Sequence, residues 1–278
     1  MDYYGVMGNP IRHSKSPLIH RLFAEQTHQS LAYKPILVEL DGLPTALLDF
    51  QVSEGGKGLN ITLPFKQRAY GYAQHLTERA IQAKAINTIR FDADGSIMGD
   101  NTDGVGLVRD ITQNNHFSIR GKSVLLLGAG GTVRGIIGPI LAESPKQLVI
   151  ANRTESKAQA LAAEFASIQA ITGCKITDLA GLSFDLIINA TSASLHEDVL
   201  ELPSDILNAG AYCYDVVYGK GETPFLHWAR AHKAALRSDG LGMLVEQAAE
   251  SFYFWRNVMP LTAPVLTVVR ETLALSSP

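Results

Sequence analysis

Lys122-Ser123-Val124-Leu125-Leu126-Leu127-Gly128-Ala129-Gly130-Gly131-Thr132-Val133-Arg134-Gly135 is the stretch that decides how this chain folds. The unbroken apolar run is the pattern of a strand buried on both faces, and the glycines after it lead into an apolar helix. Strand, glycine turn and helix, in that order, form the setting of a dinucleotide-binding fingerprint. Gly128 permits the tight turn, and Gly130 lets the backbone approach a pyrophosphate. Gly131 and Gly135 allow close packing of helix on strand. The spacing is GxGGxxxG, with Val133 at the usual place of a third glycine.

Downstream, a second strand from Gln147 to Ala151 ends in Asn152-Arg153-Thr154, with Lys157 one turn on. A free ribose 2′-hydroxyl is usually met at that point by Asp or Glu. Arg153 and Lys157 instead offer positive charge, and Arg153 a forked donor, for a 2′-phosphate. This points to NADP rather than NAD. Further strands are expected at Leu186 to Asn189 and Tyr212 to Val217. The loop Asn189-Ala190-Thr191-Ser192 falls at the edge where doubly wound sheets take ligands.

Upstream, β-like and helical patterns alternate: Tyr3 to Met7, a helix from Pro17 to about His28, a strand from Tyr33 to Glu39, a helix from Leu43 to about Val52. Strands near Ile86 to Phe91 and Ser96 to Gly99 follow. This rhythm predicts an α/β domain with a mainly parallel sheet. Helices from Leu241 to Asn257 and Ala263 to Leu275 are expected to return to it. The domains are then 1–103 with 240–278, and 104–239 for the nucleotide.

Three polar clusters lie in the first domain. In Ser14-Lys15-Ser16-Pro17, Ser16 reads as an N-cap with Pro17 at the first helical position. Two hydroxyls and free N–H groups there suit a carboxylate or phosphate, although Ser16 also reads as a simple cap. In Gly58-Leu59-Asn60-Ile61-Thr62-Leu63-Pro64-Phe65-Lys66, a strand ends at Asn60 to Thr62 and Pro64 opens a helix. Lys66 then stands in the first turn, where the helix dipole disfavours a cation, so a charge kept there points to a task. In Asp100-Asn101-Thr102-Asp103-Gly104, Thr102 reads as the N-cap of a helix reaching about Asn115. Asp103 in its first turn suits the dipole and serves equally well as a structural residue. Gln247 flanks the apolar stripe Leu241, Leu244, Val245, Ala248, Phe252 and Trp255, and by local pattern is a surface residue.

Composition narrows the classes. The chain has 278 residues, 46% of them hydrophobic, which is room for two cored domains. A net charge of −3 speaks against nucleic acid or an anionic membrane as partner. No apolar run is long enough to span a bilayer, and the Met1-Asp2-Tyr3-Tyr4 start lacks signal-peptide character. Cys174 and Cys213 form no CxxC pair and suit a reducing cytoplasm. His227 and His232 are off a common helix face and no HExxH occurs, so no metal site is expected.

Taken together, these stretches resemble the shikimate dehydrogenase family over essentially the whole chain. The matching residues occur in order: Ser14-Lys15-Ser16-Pro17, Asn60 to Lys66, Asn87-Thr88, Asp100 to Gly104, Gly128 to Gly131, Asn152-Arg153-Thr154, Asn189 to Ser192, Tyr218, and Gly240 to Gln247. The resemblance implies a Rossmann-like NADP-binding domain beside a substrate domain, and reversible NADPH-dependent reduction of 3-dehydroshikimate to shikimate. It implies a small-molecule substrate, a monomer or homodimer, and a place in aromatic amino-acid biosynthesis.

By the same resemblance, Ser14 and Ser16 would hold the substrate carboxylate. Asn60, Thr62, Asn87, Asp103 and Gln247 would meet ring hydroxyls or the reacting oxygen, and Tyr218 would orient the substrate. Lys66 and Asp103 would be the catalytic pair; in the reverse direction Lys66 takes the hydroxyl proton, alone or jointly with Asp103. The cofactor would lie on Gly128, Ala129, Gly130, Gly131 and Thr132, then on Asn152, Arg153, Thr154 and Lys157. Thr191, Ser192, Val216 and Gly240 would complete its site. Thr132 and Ser194 depart from the family's usual alanine and glycine.

Overall fold

The computed structural model describes residues 1–191 and 201–275. The chain forms two compact units, Met1–Gly106 with Leu244–Thr272, and Leu107–Met243 with the residues after Thr272. Both main crossings fall inside helices, α5 (Asp103–Arg109) and α9 (Leu241–Arg256). Among the described residues no helix is long and apolar enough to cross a membrane, and no His/Cys/Asp/Glu group is arranged to hold a metal.

The first unit runs β1 (Asp2–Gly8), α1 (Ser16–Gln26), β2 (Leu31–Leu37), α2 (Leu43–Leu48), β3 (Gly56–Ile61), α3 (Lys66–Tyr70), β4 (His75–Leu76), α4 (Glu78–Ala83), β5 (Thr88–Phe91) and β6 (Ile97–Asp100). Its sheet has the order β2-β1-β3-β5-β6-β4. β1 pairs in parallel with β2 and β3, and β4 with β6; β5 runs against both of its neighbours. The reversal comes from the tight Asp92 to Ser96 connection, where Gly95 takes φ +86°.

Alternation along β3 sets the two faces of the sheet. Leu59 and Ile61 join a core with Leu43, Leu47, Phe50 and Phe65. Gly58 and Asn60 point the other way, towards α9. A Cβ at Gly58 would lie 2.5 Å from Trp255 Nε1, so glycine lets α9 approach. The Trp255 indole donates to the Ile89 carbonyl at 2.8 Å.

Two helix starts differ from expectation. α1 begins at Ser16 with Lys15 as its N-cap, so Pro17 occupies the second position and no side chain caps the end. α3 begins at Lys66, not Pro64, because Thr62 to Phe65 form a separate turn closed by the Phe65 N–H on the Thr62 carbonyl at 3.0 Å. With only five residues, α3 has little dipole to oppose the lysine.

The second unit runs β7 (Ser123–Leu127), α6 (Gly131–Ala142), β8 (Gln147–Asn152), α7 (Glu155–Glu164), β9 (Ile171–Lys175), β10 (Phe184–Asn189), β11 (Leu207–Asp215), α8 (Pro224–Ala231) and β12 (Leu236–Asp239). Every pairing in its sheet is parallel, in the order β12-β11-β10-β7-β8-β9. The apolar run of β7 is divided between two cores: Val124 and Leu126 enter one, Leu125 and Leu127 the other. Burial on both faces is why that strand shows no polar alternation.

Candidate active site

Neighbouring strands bring the first unit's polar residues to one edge. Asn60 is paired with Thr88, and Thr88 with Asp100. Asn87 extends the ladder: its carbonyl accepts from the Ile61 N–H at 2.8 Å, and its own N–H donates to the Asp100 carbonyl at 3.0 Å. Lys66 leaves the end of β3 through a turn anchored by the buried Phe65, and its carbonyl accepts from the Ile86 N–H at 2.9 Å. Asp103 leaves the end of β6. Arg79 braces that end, forking onto the Asp100 carboxylate and reaching Glu250 at 2.9 Å. Burial works against the Arg79 charge, but Asp100 and Glu250 outweigh it and raise its pKa.

Lys66 Nζ lies 2.6 Å from Asp103 Oδ2, with side chains only 12% and 5% exposed. The other carboxylate oxygen accepts from Asn87 Nδ2 at 2.8 Å. The orientation of that amide follows from its partners. The Thr102 backbone N–H must donate, and it meets Asn87 Oδ1 at 2.8 Å, which turns Nδ2 towards the carboxylate. Asn87 Nδ2 also faces Gln247 Oε1 at 3.1 Å, while Gln247 Nε2 donates to the Leu244 carbonyl. Gln247 is therefore buried, not a surface residue, because α9 lays that side against the sheet.

Behind this group lies a hydroxyl cluster of Ser251, Thr88 and Thr102, in which Thr102, expected as an N-cap, turns its hydroxyl to Ser251 and Asn87. Ser251 lies 2.7 Å from Thr88 Oγ1 and 3.2 Å from Thr102 Oγ1, and accepts from Asn60 Nδ2 at 3.0 Å. Thr88 and Thr102 adjoin Asn87 and Asp103 in sequence, and Ser251 stands one helical turn from Gln247. Those adjacencies are the signals that identify them. Tyr33, whose hydroxyl donates to Asn60 Oδ1 at 2.8 Å, comes from β2 and carries no such signal.

The two serines sit at the start of α1. Ser14 Oγ accepts from the Ser16 N–H at 3.3 Å, and Ser16 is buried with its hydroxyl near Tyr33. Thr62 is half-buried, and its hydroxyl has no hydrogen-bond partner among the described residues. A Cβ at Gly8 would lie 2.4 Å from Thr62 Cγ2, so Gly8 makes room for it. Tyr218 belongs to the second unit, half-buried beyond the end of β11.

In the second unit, the residues expected to meet a cofactor collect at the carboxyl ends of the strands. The strand order turns between β7 and β10, the place where such sheets bind ligands. Gly128 takes φ +111°, and a Cβ there would lie 3.1 Å from the Ala190 carbonyl oxygen. A Cβ at Gly130 would have nothing within 4 Å, so the turn's backbone is open beside Ala129. α6 starts at Gly131 and Thr132 with no side-chain cap, leaving its first N–H groups available to an anion.

Arg153 and Lys157 are exposed and form no ion pair among the described residues, while Asn152 Nδ2 donates to the Thr154 carbonyl at 2.9 Å. Thr191 Oγ1 donates to Asn189 Oδ1 at 2.7 Å. Val216 and Gly240 meet across β11 and β12, where a Cβ on Gly240 would lie 2.1 Å from the Val216 oxygen. Ser192 and Ser194 lie outside the described residues. Bare helix N–H groups, an open glycine turn and two unpaired cations fit a phosphorylated dinucleotide.

The shikimate dehydrogenase substrate binding domain matches residues 6–89, the shikimate / quinate 5-dehydrogenase family residues 110–200, and the shikimate 5′-dehydrogenase C-terminal domain residues 240–270. The shikimate dehydrogenase (NADP(+)) of Dechloromonas aromatica is 56% identical over 98% of both chains. Among solved structures, an Ael1 enzyme from Pseudomonas putida superposes with a TM-score of 0.88 at 48% identity, covering 99% of each chain. Shikimate 5-dehydrogenase from Thermus thermophilus, in complex with NADP(H) and shikimate, gives 0.86 at 28% identity over 98% of this chain and 100% of its own. The chain belongs to the shikimate dehydrogenase family.

Proposed function

We propose that the chain catalyses the reversible reduction of 3-dehydroshikimate to shikimate with NADPH, with substrate on the first unit and cofactor on the second, in the cytoplasm. The observation that carries this reading is the buried contact between Lys66 Nζ and Asp103 Oδ2 at 2.6 Å, backed by Asn87 on the second carboxylate oxygen. When bound, NADPH supplies the hydride. Negative charge then grows on the ketone oxygen, and the Lys66 ammonium stabilises and protonates it. Asp103 aims that ammonium, and Asn87 holds Asp103. In the oxidative direction the proton leaves the substrate hydroxyl for Lys66, alone or jointly with Asp103.

Ser14 and Ser16 receive the substrate carboxylate, and Asn60, Thr62 and Gln247 receive ring hydroxyls, with Tyr218 as a further orienting group. The exposed Arg153 and Lys157 receive the 2′-phosphate of the cofactor. The deciding experiment follows NADPH absorbance with purified protein and 3-dehydroshikimate, and repeats the oxidative direction with shikimate and with quinate. Oxidation of NADPH dependent on 3-dehydroshikimate is expected. A protein that binds NADPH and leaves the ketone untouched would overturn the assignment.

A further inference from the structure

Tyr33 stands between two groups that the proposed function gives to different ends of the substrate. Its hydroxyl donates to Asn60 Oδ1 at 2.8 Å, and the Ser16 side chain stands near it on the other side. The direction of the first bond is fixed. Asn60 Nδ2 faces the Asn87 carbonyl at 3.2 Å, an obligate acceptor, and also Thr88 Oγ1 and Ser251 Oγ. Asn60 Oδ1 must therefore face Tyr33, and Tyr33 must be the donor. The residue is half-buried, and burial drives its ionisation well above the usual tyrosine range. The hydroxyl keeps its proton at any working pH. Its ring stacks on His20 at 4.3 Å and 10°, so it is held from behind as well.

We infer that Tyr33 is a positioning residue for substrate binding, fixing the Asn60 carboxamide so that one lone pair of Asn60 Oδ1 stays aimed at a ring hydroxyl. A carbonyl oxygen accepts two hydrogen bonds, and Tyr33 fills one. The aim of the hydroxyl subsite is then set by one phenolic oxygen from β2. This rests on the proposed shikimate chemistry, and its effect belongs in substrate affinity rather than in the chemical step.

The test is Tyr33→Phe, which removes a single oxygen and keeps the ring stack on His20. Shikimate affinity, measured by calorimetry, is expected to weaken about tenfold, the usual size of one lost buried hydrogen bond, with kcat and the NADP KM within about twofold. Adding Tyr33→Phe to Asn60→Ala should weaken shikimate by less than about twofold further, because the group it acts through is gone. His20→Phe, which replaces the ring stacked on Tyr33 and spares the hydroxyl, should leave shikimate affinity unchanged. Equal affinity in wild type and Tyr33→Phe would overturn the inference. So would a full tenfold effect in the Asn60→Ala background, or a matching loss in His20→Phe. A wild type that neither binds nor oxidises shikimate overturns the function itself; an active wild type matched by Tyr33→Phe overturns the inference alone.

Discussion

Around Asn87, the polar groups of the first unit are bonded to one another, whereas at the carboxyl edge of the second unit's sheet Arg153 and Lys157 stand exposed beside the uncapped start of α6. Both oxygens of Asp103 are engaged, and Asn60, Asn87 and Gln247 each bond through oxygen and nitrogen. At the other edge stand an open glycine turn, an uncapped helix start and two exposed cations. The difference follows from the two tasks. A proton delivered to a developing oxyanion must come from a group already in place, since reorganising dipoles during the reaction raises the barrier. A phosphate brings its own acceptors, so its site needs only donors that the fold leaves bare.

Lys66→Ala is the sharpest way to break this comparison. Turnover should fall by about 10² to 10⁴-fold, the range for loss of a positioned proton donor, with shikimate binding still measurable by calorimetry. Near-normal turnover in that variant would move the chemistry elsewhere and reduce the Lys66–Asp103 couple to an internal ion pair.

The same contrast governs what could be read from the sequence. The nucleotide edge was legible because strand, glycine turn, helix and second strand end are contiguous, and each signal is local. The first unit's site was not legible in that way. Asn87 and Gln247 are 160 positions apart, and no pattern within α9 distinguishes a glutamine facing a polar cluster from one facing water. Only the combination of motifs in order pointed there. Pro17 and Pro64 misled for a physical reason: each proline suits a first helical position, but Lys15 holds the N-cap position of α1 and a closed turn precedes α3. Tyr33 was invisible because its partner across the sheet is set by strand order, which no local window contains.

Arg153→Ala tests the other side of the comparison with a smaller effect. Losing one forked donor to a dianion should weaken NADPH by about ten- to a hundredfold while NADH changes little, as read from KM values for both cofactors. Equal losses would mean that Arg153 does not meet the 2′-phosphate. A fall in kcat at saturating cofactor would mean that the bare edge takes part in catalysis after all.

The smallest effect concerns His20, which lies among the bonded groups yet has no hydrogen-bond partner at either ring nitrogen. It is enclosed by the rings of Tyr33, Phe23, Phe252 and Trp255. Burial lowers its pKa to about 3, opposed only in part by the neighbouring Asn60 amide, which lies outside good hydrogen-bonding geometry. An unfolded histidine takes its proton near pH 6.5, so between that value and about 3 the unfolded chain binds the extra proton. This contribution to stability is fully present above pH 6.5 and declines as the pH falls, by at most about 1.4 kcal/mol per pH unit. His20→Phe removes both orphaned nitrogens and keeps an aromatic ring against Tyr33. Urea unfolding at pH 7 should show equal or greater stability, by up to about 1 kcal/mol, and the loss between pH 6.5 and 4.5 should be shallower than in wild type. An unchanged slope would mean that His20 takes up its proton in the folded state through a partner gained on acidification, and the bonded region would then extend one residue further than its neutral geometry indicates.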